Sequence, residues 1–424
     1  MAISPDRILR GCEALAFLKD KFMVNSFIGR WYEICDGAGG CCIEPIMKEW
    51  LMKLWQTYGN ILSEQQPDKL RKLSESIWRN SQTSLKFDGD TTALEWARLA
   101  TGHNLRWVVV GLIASTIGLL ATTLDASDER LKSHKITRQA LVKKMANIVE
   151  SCLGFCREND VIDDMYIWLL LEYSGLLQAI KGDIHYTTYQ ATGETNNAVI
   201  SMGLHQGSKP SATVPFFLAE LRNRFSTATY AMEIGHATFL GRPPRLSYRY
   251  FNLVAPLDLT DHQICLEGPE LAAALAELGE DGFNTVGRVT RATWFRTFLG
   301  MYPRREDILD LALGDYTREE VLQRAEVIER KIEEHWRSLP PFMVKFRTEF
   351  IDFKKLKPLD LLYRSALRQG ARANDLLFQR VLIRKSMLTL LFFLSSLIHS
   401  SPSFGHRPTL SYPNLIKKVM MALH

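Results

Sequence analysis

An all-α fold, as one large multi-helix domain, follows from three features of the 424-residue sequence. Apolar residues recur at three- and four-residue steps along most of its length, the period that lines up one face of a helix. Few stretches alternate with the two-residue period of a half-buried strand. Prolines, hydroxyl residues and glycines bracket the periodic runs, as helix starts and stops require. With 46% apolar residues, the chain can bury a large core. Residues 1–398 are expected to form the helical body, either whole or as two subdomains with a break near 246–268, and 399–424 an irregular tail.

In chain order, Ile8, Leu9, Cys12, Leu15, Ala16 and Leu18 set helical spacing between Pro5 and Met23, so no disordered basic leader is expected. Phe27, Trp31, Tyr32 and Glu33 close a helix ahead of the loop Asp36 to Gly40. That loop lacks the glycine spacing and the preceding strand of a phosphate-binding loop. Pro45 opens a helix from Ile46 to Tyr58 with Trp50, Leu51, Leu54 and Trp55 on one face. Pro67 to Asn80 and Thr91 to Ala100 are short amphipathic helices on either side of the polar turn Phe87 to Asp90. Trp107 to Leu124 is an uncharged run of 18 residues. Its glycines, serine and threonines, and the absence of a basic flank, point to a central buried helix and not to a membrane span. Asp125 to Lys135 reads as a charged connection, after which Thr137 to Cys156 and Met165 to Ile180 resume helical spacing. Asp163 and Asp164 suit a helix N-terminus, and the third carboxylate of a magnesium-diphosphate cluster is missing.

The stretch from Gly193 to Arg245 organises the rest. It holds a helix ending in Met202-Gly203-Leu204-His205, a loop, a second helix and the turn Gly241-Arg242-Pro243-Pro244. In the second helix Phe216, Phe217, Leu221, Phe225, Ala228, Ala231, Met232 and Gly235 share a face that must be buried. Pro215 suits its first turn. Glu220 lies one turn before Arg224, the favoured order for a helical ion pair, and Arg222 and Glu233 complete a charged edge. Gly241 stops the helix and two prolines stiffen the exit, which holds Arg242 close enough to fold back on Glu233. His205 and His236 are the polar groups that a pocket in this stretch would use, although a local hydrogen bond is the plainer role for each.

Beyond it, Leu246 to Leu257 is irregular, and helices are expected near Glu270 to Leu278, Arg288 to Leu299, Arg305 to Leu313 and Thr317 to Arg337. The last opens on a capping box, Thr317 with Glu320. From Lys345 to Lys385 eleven basic residues face four acidic ones, with Arg364, Arg368 and Arg372 at four-residue steps. Aromatic residues placed for base stacking are not interleaved with them. The whole-chain net charge of +5 is too slight for a nucleic-acid footprint, and Met387 to Ile398 is too short to span a membrane.

Seven cysteines (Cys12, Cys35, Cys41, Cys42, Cys152, Cys156 and Cys265) follow no regular spacing, which argues for free thiols in a reducing compartment and against structural zinc. The ten histidines form no His-x-x-x-His pair, and no nucleophile elbow, Walker loop or dinucleotide fingerprint is present. No catalytic residue, metal or cofactor is therefore assigned. An enzyme that works through an apolar cavity and orientation alone would still leave no motif.

The run Pro215-Phe216-Phe217, Glu220-Leu221-Arg222-Asn223-Arg224, Tyr230, Glu233 and Gly241-Arg242-Pro243-Pro244, preceded by Gly203-Leu204-His205, resembles the middle homology region of fungal zinc-cluster transcription factors. The likeness extends over about residues 5–385 and is specific only at Gly193 to Arg245. The chain departs from the pattern at Asn223, which stands for an arginine, at Ser226 and Thr227, which stand for bulky aromatics, and at Glu233, which stands for aspartate. The resemblance implies an all-helical regulatory domain that responds to small molecules and contacts a protein partner or a second copy. The six closely spaced cysteines of that family's DNA-reading module are missing, so sequence-specific DNA binding is not expected. Two functions follow as expectations: a nuclear regulator of fungal secondary metabolism that depends on a partner, or a cytoplasmic cyclase- or pericyclase-type enzyme acting on an apolar metabolite.

Overall fold

Many helix starts in this chain coincide with a capping side chain. The structure, a computed structural model, describes residues 3–34 and 43–343. Among the described residues are fifteen α-helices and no strand, with only two isolated bridges, Ser211 to Val214 and Leu278 to Asn284. The helices are α1 (Pro5–Leu15), α2 (Lys21–Ile34), α3 (Glu44–Glu64), α4 (Pro67–Ser81), α5 (Ala93–Arg98), α6 (Trp107–Thr123), α7 (Glu129–Ser133) and α8 (Arg138–Glu158). They continue with α9 (Asp164–Lys181), α10 (Tyr186–Ser201), α11 (Phe216–Leu240), α12 (Gly268–Ala276), α13 (Arg291–Leu299), α14 (Tyr302–Leu313) and α15 (Arg318–Ser338).

Local chemistry accounts for their starts. Ser4 caps α1, Thr137 caps α8 and Asp163 caps α9, while Thr92 with Glu95 and Thr317 with Glu320 form capping boxes at α5 and α15. Three of the boundaries that differ from the periodicity have a visible local cause. The expected helix from Pro5 to Met23 breaks after Leu15 into a 3₁₀ turn, because the Asp20 side chain accepts the Met23 N–H at 2.8 Å and opens α2 there. The helix expected to stop at Tyr58 runs on to Glu64, where Gln65 takes a left-handed φ of 54°. The charged connection after residue 124 contains α7, capped by Asp128.

α6 is the axis of the body. It packs most closely against α8 and α9, with α2 and α4 on its remaining sides. Fifteen of its residues are buried, so the uncharged run is a core helix, and no described helix is long and apolar enough to cross a membrane. The glycine that allows this crossing is Gly111: a Cβ there would lie 2.7 Å from Leu169 Cδ2 and 2.9 Å from the Cys152 Cβ. Helices approach this closely only where one of them carries no side chain.

α11 runs the length of the second half and joins it to the first. It packs against α9 and α10 on one side and α13 and α14 on the other. Most of the apolar core is one cluster that includes the ring set Trp50, Trp96, Trp168, Phe217 and Phe225. Two smaller clusters lie beyond residue 280, one between α14 and α15 and one around Phe283, Trp294 and Phe298. Residues 246–257 carry no helix, as expected. The arginine ridge from Arg364 to Arg372, the apolar run 387–398, the tail 399–424, the loop at 36–40 and Cys35, Cys41 and Cys42 lie outside the described residues.

Candidate functional site

Glu233 sits on the inner face of α11 with 1% of its surface exposed. A carboxylate so buried must be matched by donors, and the structure supplies three sources. Asn196 of α10 donates to Oε2 at 2.7 Å. The backbone N–H of Arg245 donates to Oε1 at 2.7 Å. The Arg245 guanidinium donates to Oε2 through Nη2 at 2.6 Å and through Nε at 3.0 Å.

The arginine that folds back on Glu233 is therefore Arg245 and not Arg242, which corrects the expectation from sequence. Backbone geometry decides between them. Gly241 adopts φ 59° as the helix cap, and both its N–H and that of Arg242 return to the Ala237 carbonyl. The Arg242 backbone closes the cap while its guanidinium turns to Tyr189, and Pro243 and Pro244 carry the chain around until the Arg245 N–H meets the carboxylate. Both arginines then stack on Tyr189 of α10, Arg245 at 4.0 Å from the ring centroid and Arg242 at 5.2 Å. Gly193, which opens the stretch, has its reason here. A Cβ on it would lie 2.4 Å from Arg245 Nη1, whose place is held by the Tyr189 carbonyl at 3.0 Å.

The remaining charged residues of α11 reach outward to separate segments. Arg222 makes a two-pronged pair with Asp164 at the start of α9, at 2.7 and 2.9 Å. Arg224 pairs with Asp261 at 2.8 Å and donates to the Leu259 carbonyl. Glu220 accepts the Leu257 N–H at 2.9 Å, and the expected Glu220–Arg224 ion pair is not formed. Each side chain finds a nearer partner on the irregular segment that follows α11, so the intrahelical pair loses to a tertiary one. Burial pushes the Glu220 carboxyl above its ordinary range, against the Leu257 N–H and the nearby Arg224. The charged edge is mostly buried: Glu220, Arg224 and Glu233 are all core residues.

His236 and His205 do not meet. His236 lies one turn from Glu233, where Gln178 Nε2 is 2.9 Å from its Nε2 and Thr192 Oγ1 is 3.0 Å from its Nδ1. Thr192 in turn donates to the Thr188 carbonyl, so the imidazole accepts from Gln178 and donates to Thr192. Burial pushes its pKa down to about 4, with Arg245 acting in the same direction and Glu233 against it. The folded value lies below the unfolded one, so His236 contributes stability that is complete above about pH 6.5 and is lost as pH falls towards 4. Urea midpoints taken between pH 4 and 7 are expected to fall less steeply on acidification in His236→Gln than in the wild type. His205 packs edge-on against Phe251, and its backbone carbonyl accepts the Asn252 N–H at 2.7 Å.

Sequence reasoning missed four anchors. Asn196 and Tyr189 lie on α10, where nothing in the spacing marks them as partners of Glu233. Glu306 of α14 accepts from Tyr230 at 2.6 Å, from the Tyr248 N–H at 3.0 Å and from Ser247. Asp258 gathers Asn284, Thr290 and Thr293, and so orders the irregular segment ahead of α13. Buried Asp and Glu residues in non-helical or distant segments are the only sequence signal for these, and that signal requires the burial to be known.

Chemically, the arrangement is a clamp. Every donor to Glu233 comes from the protein, and the His236 ring is held neutral between two side chains, so neither is poised to move a proton. Among the described residues no group of His, Cys, Asp and Glu is arranged to hold a metal ion. The fold and the clamp define an all-helical body whose two halves are tied through buried charged groups on α11. No protein-family model, no curated protein and no solved structure matches the chain.

Proposed function

We propose that the protein is a regulator-type helical body that acts through a partner and does not read DNA itself. The observation that carries this reading is the clamp. The residues that resemble the middle homology region, Glu220, Arg222, Arg224, Glu233 and the Gly241-Arg242-Pro243-Pro244 corner, are engaged in holding α9, α10, α11 and the segment 245–261 together. They organise a scaffold and leave no free acid or base. The sequence has no paired set of three closely spaced cysteines to build a zinc-cluster reader. A partner-dependent regulator of this kind would work in the nucleus, on genes of secondary metabolism.

Two measurements on the full chain test the reading. Purified protein is expected to leave promoter fragments unshifted, while the chain tethered to an unrelated DNA-binding domain is expected to change reporter output. Specific promoter binding by the chain alone, or a tethered reporter that does not respond, overturns it. The second reading, a cyclase- or pericyclase-type enzyme, draws support from the core rings Trp96 and Trp168, whose buried indole N–H groups have no partner among the described residues. Turnover of an apolar polyene or polyketide by the purified chain would favour it over the regulator.

A further inference from the structure

Between the starts of α6 and α9 lies a small, partly open cavity of about 10 Å³, lined among others by Ser81, Arg106, Cys156, Asp163 and Tyr166. That is the room one water molecule needs. Two opposite charges border it without touching each other. Arg106, only 5% exposed, donates through Nη2 to Thr83 at 3.2 Å, yet its Nε–H is buried with no partner. Asp163 caps α9 by accepting the Tyr166 N–H at 2.9 Å. A buried guanidinium N–H left unpaired costs free energy. A single water relieves it by accepting from Arg106 Nε and donating to the half-buried Asp163 carboxylate.

We propose that this cavity holds one ordered water bridging Arg106 Nε and the Asp163 carboxylate, and that the bridge is a pH-sensitive joint between α6 and α9. The groups facing Asp163 are Arg106 from the turn before α6, Cys156 from α8 and Asp164 from α9 itself. Asp164 is already matched by Arg222 from α11, and the Cys156 thiol is pushed well up by burial. Burial is the largest influence on Asp163 and raises it to about 6; Asp164 adds to the rise, and the Tyr166 N–H and Arg106 oppose it. The folded value exceeds the ordinary 3.8, so the stability Asp163 contributes is complete at low pH and is lost as pH rises through about 6. Above that pH the ionised carboxylate relies on the bridge. The joint reaches the hub, because the next residue, Asp164, is the anchor that Arg222 of α11 grips.

The test is thermal unfolding of the full chain from pH 4 to 8 for the wild type, Asp163→Asn and Arg106→Met. Asparagine caps a helix as well as aspartate, so Asp163→Asn keeps the cap and removes the titration. Subtracting its curve from that of the wild type isolates Asp163 from His236, whose contribution has the opposite sign in the same window. The difference is expected to fall with rising pH, centred between 4 and 6, and in Arg106→Met the fall is expected to move to higher pH. A crystal of the wild type at neutral pH is expected to show one water in the cavity. Parallel curves for the wild type and Asp163→Asn, a midpoint unmoved by Arg106→Met, or an empty cavity overturns the proposal. If Arg106→Met does not fold, the Asp163→Asn difference and the crystal decide the outcome between them.

Discussion

Glu233→Ala is expected to destabilise the protein by about 1–3 kcal/mol, the range for leaving a buried hydrogen-bonding group without its partner. The reason lies in what is left behind. The buried Asn196 amide loses its acceptor, and Arg245, which is partly open to solvent, keeps only the Tyr189 ring and carbonyl. Glu233→Gln keeps the shape and one acceptor oxygen, so it should lose less. The two variants compared by urea denaturation separate the charge from the packing. Equal stability of Glu233→Ala and the wild type would mean that the clamp holds nothing. Gly193→Ala tests the same contact from the other side: in a wild-type background its Cβ displaces Arg245, whereas in Glu233→Ala the arginine is free to yield, so the two effects are not expected to add.

Trp168→Ala is the other large effect, at about 3–5 kcal/mol for removing a fully buried large aromatic side chain. Trp168 stacks on Phe225 of α11 at 4.9 Å, leans on Trp96 of α5 at 5.3 Å and lies 6.4 Å from Trp50 of α3. One indole thus joins α3, α5, α9 and α11. Its loss would leave a void lined by rings that belong to three different helices and cannot all collapse into it. Trp168→Phe should retain more than half of the lost stability. A denaturation midpoint that does not move in Trp168→Ala would show that these helices are held together elsewhere.

Most helices were legible in the sequence, because their signal is local: an apolar period, a cap and a stop. α8, α9, α11 and α15 lie within two residues of where spacing and capping put them. The charged hub was legible as a set of residues and not as a set of bonds. Arg222 meets an aspartate 58 residues away, and Glu220 a backbone N–H 37 residues on. Such pairs are chosen by the fold, since a helix places its side chains by period while the partner arrives from another segment. Arg242 and Arg245 illustrate the difference. They share a charge, a neighbourhood and an aromatic ring, and only the left-handed turn at Gly241 with the two prolines after it determines which one reaches Glu233.

α6 has no outward face, and this bears on how the chain is made. As it leaves the ribosome, the run from Trp107 to Leu124 emerges before α8 and α9, the helices that cover most of it, have been synthesised. Until translation passes Lys181 the nascent polypeptide carries an uncharged segment that only the earlier helices α2 and α4 can cover. The growing chain is expected to be safest from aggregation once α9 has docked.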